Sequence, residues 1–133
     1  MNHPPTPGFT LVELLTVLAI IGVLSSLAMP RFEQTHQRSQ RSLAKLALLQ
    51  SAHWMERSFN RHGAYPLSLP DAVWHSPDMR YRLSVTSDGS TFVLRATPVG
   101  AQTADACGSL TLSAHGERGV VNATLTAAKC WGI

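Results

Sequence analysis

Between Phe9 and Met29 the chain has no lysine, no arginine, no proline and one acid, Glu13. A soluble domain of ordinary composition intersperses its charges, so this stretch is built for an apolar surrounding. The marks of catalysis are missing too. The six histidines, His3, His36, His53, His62, His75 and His115, form no zinc-binding pattern. There is no phosphate-cradling glycine loop and no nucleophile elbow. No acidic cluster suits calcium. These absences read as a protein that is not an enzyme and needs no metal or cofactor.

Cysteine is scarce as well, with Cys107 and Cys130 alone, both near the C-terminus. A zinc site needs four ligands and usually shows close pairs, so the spacing matches none. An even count behind a membrane-targeting segment points to a disulfide in an oxidising compartment. Such a bridge would contribute roughly 3 kcal/mol; the alternative is two free buried thiols.

What is present fits one small domain: 133 residues, 44% of them hydrophobic. All eleven Lys and Arg follow Met29, against seven acids, leaving the later part mildly basic. That permits an anionic partner without demanding one.

Residues 9–29 would form a helix about 32 Å long, enough to span a bilayer core. A removable secretory signal would have a basic start, a shorter run and a small-residue exit site. Here the start lacks Lys and Arg and the run ends at Met29-Pro30. Glu13 is costly in such a helix unless it finds a partner. A cut before Phe9 would create an amine one turn away, available to a neighbouring copy packed with a one-turn stagger. The alternative is a carboxyl snorkelling or protonated near the headgroups.

Gly8-Phe9-Thr10-Leu11-Val12-Glu13-Leu14-Leu15 resembles the processing signature of type IV prepilins and type II secretion pseudopilins. The likeness continues through Ala19-Ile20-Ile21-Gly22-Val23-Leu24 to Pro30. It implies cleavage by prepilin peptidase between Gly8 and Phe9, methylation of the Phe9 amine, and Glu13 as the assembly carboxylate. It also implies a helix kink at Pro30, which removes a backbone donor and crowds the preceding turn, with Gly22 loosening the helix nearby. The leader MNHPPTPG departs from the family in carrying no Lys or Arg. Charge bias from Arg31, Arg38, Arg41 and Lys45 alone would orient the C-terminal domain towards the cytoplasm. The signature and the cysteine pair argue instead for export.

From Phe32 to about Arg61 no Gly or Pro interrupts a helix. Leu43, Ala44, Ala47, Leu48, Ser51, Trp54, Met55, Ser58 and Phe59 share one arc, with Lys45, His53, Glu56 and Arg57 facing away. Gly63 should end it, and residues 63–78 read as a loop anchored by Trp74. Strict alternation predicts strands at 79–86 and 91–97 around an Asp88-Gly89 turn. A two-residue turn would set Val85 opposite Phe92, Leu83 opposite Leu94 and Arg82 opposite Arg95. With Arg80, these make a small basic patch, with Lys129 a further candidate, whose ligand would be DNA or another anion; the plainer reading is arginines splayed into solvent. A third strand at 110–113 and a fourth at 120–125 complete the sheet.

The run Asp105-Ala106-Cys107-Gly108-Ser109-Leu110-Thr111-Leu112, with Gly116 and Cys130-Trp131, resembles the C-terminal region of minor pilins of the PilE type. The expected architecture is therefore α+β: the type IV pilin fold, a long N-terminal helix on a four-stranded antiparallel sheet with a C-terminal disulfide region. The chain divides into leader 1–8, helix 9–62 with 9–29 as membrane and filament core, and globular domain 63–133. That domain contains the 63–78 loop, the sheet over 79–126 and the disulfide region 107–130. The resemblance implies a minor pilin that assembles into or primes the pilus, supporting biogenesis, twitching motility or adhesion. The rivals are a DNA-binding minor pilin for natural transformation and a secretion pseudopilin. Its partners would be other pilin subunits, prepilin peptidase, the inner-membrane assembly machinery, the inner membrane itself and, in the first rival, DNA. The precursor would cross the inner membrane once with its C-terminal domain in the periplasm, then join an extracellular pilus.

Overall fold

The computed structural model describes residues 8–71 and 75–133, apart from the side chains at 29–31. Most of the leader, the Pro30 ring and Trp74, the expected loop anchor, lie outside the described residues. Helix α1 runs Leu11–His62, followed by β1 (Tyr81–Ser87), β2 (Phe92–Pro98), β3 (Ser109–Ser113), β4 (Arg118–Val121) and a short α2 (Ala127–Trp131). The chain divides into two compact units, residues 1–36 and 37–133.

In the first unit every residue from Gly8 to Ala28 is exposed. Among the described residues, α1 is the one helix long and apolar enough to cross a membrane. A run of bare Leu, Ile and Val in water is unfavourable by about 1.5–3 kcal/mol per large side chain. Its cover must come from lipid or from other chains.

In the second unit α1 is amphipathic. Ala44, Ala47, Leu48, Ser51 and Met55 recur at helical spacing and are buried against Tyr81, Leu83, Phe92, Leu94, Ala96, Leu110 and Leu112. Two residues expected to face away do not. Lys45 is half-buried, its Nζ donating to the Trp131 carbonyl at 3.1 Å, and Glu56 accepts from the Tyr65 hydroxyl at 2.9 Å. Gly63 ends the helix in the left-handed region, φ +74°.

The sheet is antiparallel throughout, in the order β1-β2-β3-β4. The hairpin register differs from the two-residue-turn expectation: Val85 pairs with Leu94, Leu83 with Ala96 and Ser87 with Phe92. The reason is Asp88. Its Oδ1 accepts from the Ser90 N–H, the Ser90 hydroxyl and the Thr91 N–H, winding residues 88–91 into a four-residue loop. These bonds, led by the one from Thr91, also hold the Asp88 carboxyl below its ordinary pKa. A shift of two residues keeps every side chain on its face, so the buried set survives while the cross-strand pairs change.

The fourth strand also differs from expectation. It ends at Val121 because Asn122 turns into the left-handed region, φ +55°. Thr124 and Leu125 then bond the Ala106 carbonyl, and Thr126 caps α2 by accepting from the Lys129 N–H.

Candidate functional site

At its amino end, α1 begins at Leu11 with Thr10 as its cap. The Thr10 hydroxyl accepts from the Glu13 N–H at 3.2 Å, and Glu13 Oε2 accepts from the Thr10 N–H at 3.5 Å. This is a reciprocal capping box, and Thr-x-x-Glu is its sequence signature. A reading that weighs Glu13 only as a charge in an apolar run overlooks it. Phe9 is 81% exposed. Gly22 has no positive φ, and a Cβ at Gly8 or at Gly22 would meet nothing within 4 Å. No contact within the subunit therefore requires glycine at either position, and Gly22 inside a helix costs about 1 kcal/mol relative to alanine.

Further along, Cys107 and Cys130 are joined in a fully buried disulfide that ties the start of β3 to α2. Beside it lies a polar network that sequence reading missed. Asp105 accepts from Arg41 Nε at 3.0 Å and Nη2 at 2.5 Å, from the Tyr81 hydroxyl at 3.0 Å, from Gln102 Nε2 at 3.0 Å and from the Cys107 N–H at 3.1 Å. Burial opposes the Asp105 charge, but the Arg41 and Cys107 hydrogen bonds and the Arg41 charge outweigh it and hold its pKa below normal. Burial pushes the Tyr81 hydroxyl up to about 12. One carboxylate thus joins the helix, β1, the 3-10 turn Gly100–Ala104 and the disulfide. Its signal in the sequence is faint: an Asp two residues before a cysteine.

Trp131 fixes the C-terminal helix to this assembly. Its Nε1 donates to the Gly119 carbonyl at 3.0 Å, and Arg118 lies over its ring at 5.5 Å. Lys45, at its carbonyl, has a lowered pKa, mainly through burial and then through the charges of Arg41 and Arg118.

The outward face of the sheet is polar apart from Val93. Arg82, Ser84 and Thr86 on β1, Val93, Arg95 and Thr97 on β2, and Thr111 and Ser113 on β3 project away from the core. No acid occupies an outward position on any of the four strands. Arg82 stands opposite Thr97 and Arg95 opposite Ser84, so the expected head-on arginine pair becomes a diagonal one. That removes the direct like-charge opposition and sets the two residues roughly 7–8 Å apart at the backbone. Arg80 comes immediately before β1, its guanidinium beside Gly100. Lys129 does not join them: it belongs to α2, which packs on β4 at the opposite sheet edge. Among the described residues, the ion pair is Arg41–Asp105, and none involves Arg80, Arg82 or Arg95.

A long N-terminal helix laid on a four-stranded antiparallel sheet, closed by a C-terminal disulfide, defines a type IV pilin. A type IV pilin from Shewanella oneidensis matches with 37% identity over 68% of this chain and 96% of its own, at a TM-score of 0.54. The Neisseria meningitidis non-core minor pilin PilV shares the fold at 18% identity, covering 71% of this chain and 95% of its own, TM-score 0.59. Residues 7–29 match the prokaryotic N-terminal methylation motif. Residues 30–111 match a family described as type IV minor pilin ComP, DNA uptake sequence receptor, and the chain belongs to this minor pilin family. No curated protein matches. As a minor subunit of the pilus, the protein acts with other pilin subunits and the pilus machinery. The methylation motif and apolar helix fit a precursor anchored in the inner membrane.

Proposed function

We propose that this minor pilin receives DNA on the outer face of its sheet, within a pilus it enters by processing and helix packing. The observation that carries the reading is a strand face with no outward acid, bearing Arg82 and Arg95 among hydroxyls and Val93, with Arg80 at its edge. Guanidinium groups that pair with no carboxylate among the described residues suit phosphate oxygens, and serine and threonine hydroxyls add neutral donors to the same backbone. The family description, a DNA uptake sequence receptor, supports the same assignment.

Assembly would proceed as the N-terminal signature implies. Prepilin peptidase cuts between Gly8 and Phe9 and methylates the new Phe9 amine. The exposed apolar helix then leaves the inner membrane for a filament bundle, where Glu13 meets the amine of a neighbour's Phe9. The globular domain, periplasmic in the precursor, ends outside the cell. Gly22, which nothing in the subunit requires, lets neighbouring helices approach closely.

The test is a gel shift with full-length protein in detergent. Wild type should retard duplex DNA at low salt and release it as salt rises. Replacing Arg80, Arg82 and Arg95 together by alanine should abolish the shift; unchanged binding would remove this face from consideration.

A further inference from the structure

Two reciprocal contacts fix where α1 begins: the Thr10 hydroxyl accepts from the Glu13 N–H, and Glu13 Oε2 accepts from the Thr10 N–H. The helix consequently starts at Leu11, and Gly8, Phe9 and Thr10 remain outside it and exposed. A Cβ at Gly8 would meet nothing within 4 Å, so no contact within the subunit calls for glycine beside this peptide.

A peptide inside a helical turn has its carbonyl hydrogen-bonded and its faces covered by neighbouring turns. A hydrolase must reach both the carbonyl carbon and the amide nitrogen. Cutting before Phe9 therefore needs the helix to stop short of it. A competing start exists in the sequence. Thr6-Pro7 is itself a cap followed by the residue favoured at the first helical position. A helix begun there would enclose the Gly8–Phe9 peptide in its first turn. Threonine at position 10, supported by Glu13, sets the boundary two residues past the scissile bond.

We propose that Thr10 is a positioning residue for processing, holding the Gly8–Phe9 peptide out of helix α1 and open to attack. The inference rests on the reading that the chain is cut at this bond. In the cut, water adds across the amide. The C–N bond breaks, Gly8 leaves as a carboxylate and Phe9 gains the proton and becomes an α-amine, with no change of oxidation state. Thr10 does not touch the reacting atoms. Its contribution is the fraction of precursor whose scissile peptide is non-helical.

The experiment uses full-length precursor in inner-membrane vesicles containing prepilin peptidase, with kcat/KM measured and products identified by mass. Thr10→Ser and Thr10→Asn keep an N-cap acceptor while changing shape. Thr10→Val keeps the shape and loses the acceptor. Serine and asparagine variants should be cut at near the wild-type rate, and the valine variant about fivefold more slowly, the scale of a lost cap. A valine variant as fast as serine would overturn the proposal. So would a fast serine variant beside an asparagine variant as slow as valine, since the peptidase would then be reading the hydroxyl itself. Wild-type precursor left intact at Gly8–Phe9 would instead remove the processing reading on which the proposal stands.

Discussion

Arg41 and Asp105, sixty-four residues apart, form a buried two-point ion pair. The side chain of Asp105 is 1% exposed and that of Arg41 11%. Helix α1 and the segment entering β3 are therefore joined by charge as well as by apolar packing. The pair is also what aims the Cys107 N–H, through Asp105 Oδ1.

Breaking one side of this pair should be severe. Asp105→Ala leaves the Arg41 guanidinium buried without a counter-charge and the Tyr81 hydroxyl without its acceptor. The expected loss is about 3–5 kcal/mol, read from thermal unfolding of the full chain in detergent. Replacing both partners by apolar residues should cost much less than the single change. A single variant as stable as wild type would show that water compensates the site.

Acid should act through the same carboxylate. Its pKa is held lower in the fold than in the unfolded chain, so the unfolded state binds the proton first as pH falls. The stabilisation is complete above the unfolded value of about 3.9 and is lost below it, as pH drops towards the folded pKa. Tryptophan fluorescence should report an acid transition in wild type. Asp105→Asn should flatten that pH dependence while lowering stability at neutral pH.

Gly108, next to the disulfide, separates two kinds of glycine demand. It has φ +52°, and a Cβ there would lie 2.4 Å from the Val121 carbonyl oxygen and 2.5 Å from that of Asn122. These are backbone atoms and have no rotamer with which to yield. Gly132 also has positive φ, +76°, but faces open space. Gly132→Ala should therefore cost about 1–2 kcal/mol, from conformation alone. Gly108→Ala should add a packing penalty of about 1–3 kcal/mol. Equal melting temperatures for the two variants would contradict this.

Local pattern explains which parts of the fold were legible in the sequence. Helical spacing from Ala44 to Met55 and strict alternation in β1 and β2 gave the buried faces correctly. The C-terminal cysteines, read with family resemblance, gave the disulfide region. The hairpin register was not legible because Asp88 and Gly89 suit a two-residue turn by composition, while the loop is chosen by three hydrogen bonds to one carboxylate. Five-residue α2 is too short to show a period, and the Thr126 cap is the one local mark it carries. The Arg41–Asp105 pair has no local signature at all. Arginine 41 read as one of several charges following an apolar helix, and only the fold brings its partner to it. On the outer sheet face, alternation alone set Arg82 and Arg95 on one side, and the register then determined their spacing.

The disulfide and the Asp105 network should not behave additively. The bridge closes a 23-residue separation, for which chain entropy predicts about 3 kcal/mol. Reduction also frees the segment through which Cys107 donates to Asp105, loosening the hold on Arg41. Asp105→Asn combined with Cys107→Ser and Cys130→Ser should destabilise by less than the sum of the separate changes. Strict additivity would mean that the two supports stabilise separate parts of the domain. The same series distinguishes a scaffolding bridge from a ligand contact. DNA retention by reduced but folded protein would assign the bridge to stability alone.

The spacing of Arg82 and Arg95 predicts how DNA binding should depend on salt. Each phosphate contact releases condensed counterions and adds about 0.9 to the slope of log affinity against log salt. Arg82→Ala and Arg95→Ala should each lower that slope by about one and weaken binding similarly across DNA sequences, since backbone contacts carry no base information. Lys129→Ala, at the opposite sheet edge, should leave the slope unchanged if the outer face is the whole phosphate surface. The measurement is a fluorescence titration of labelled duplex with full-length protein at several salt concentrations. A slope lowered by Lys129→Ala but not by either arginine change would move the DNA surface to the α2 edge. Slopes lowered by all three would describe a strand lying across the sheet, from the β1–β2 arginines to the C-terminal helix.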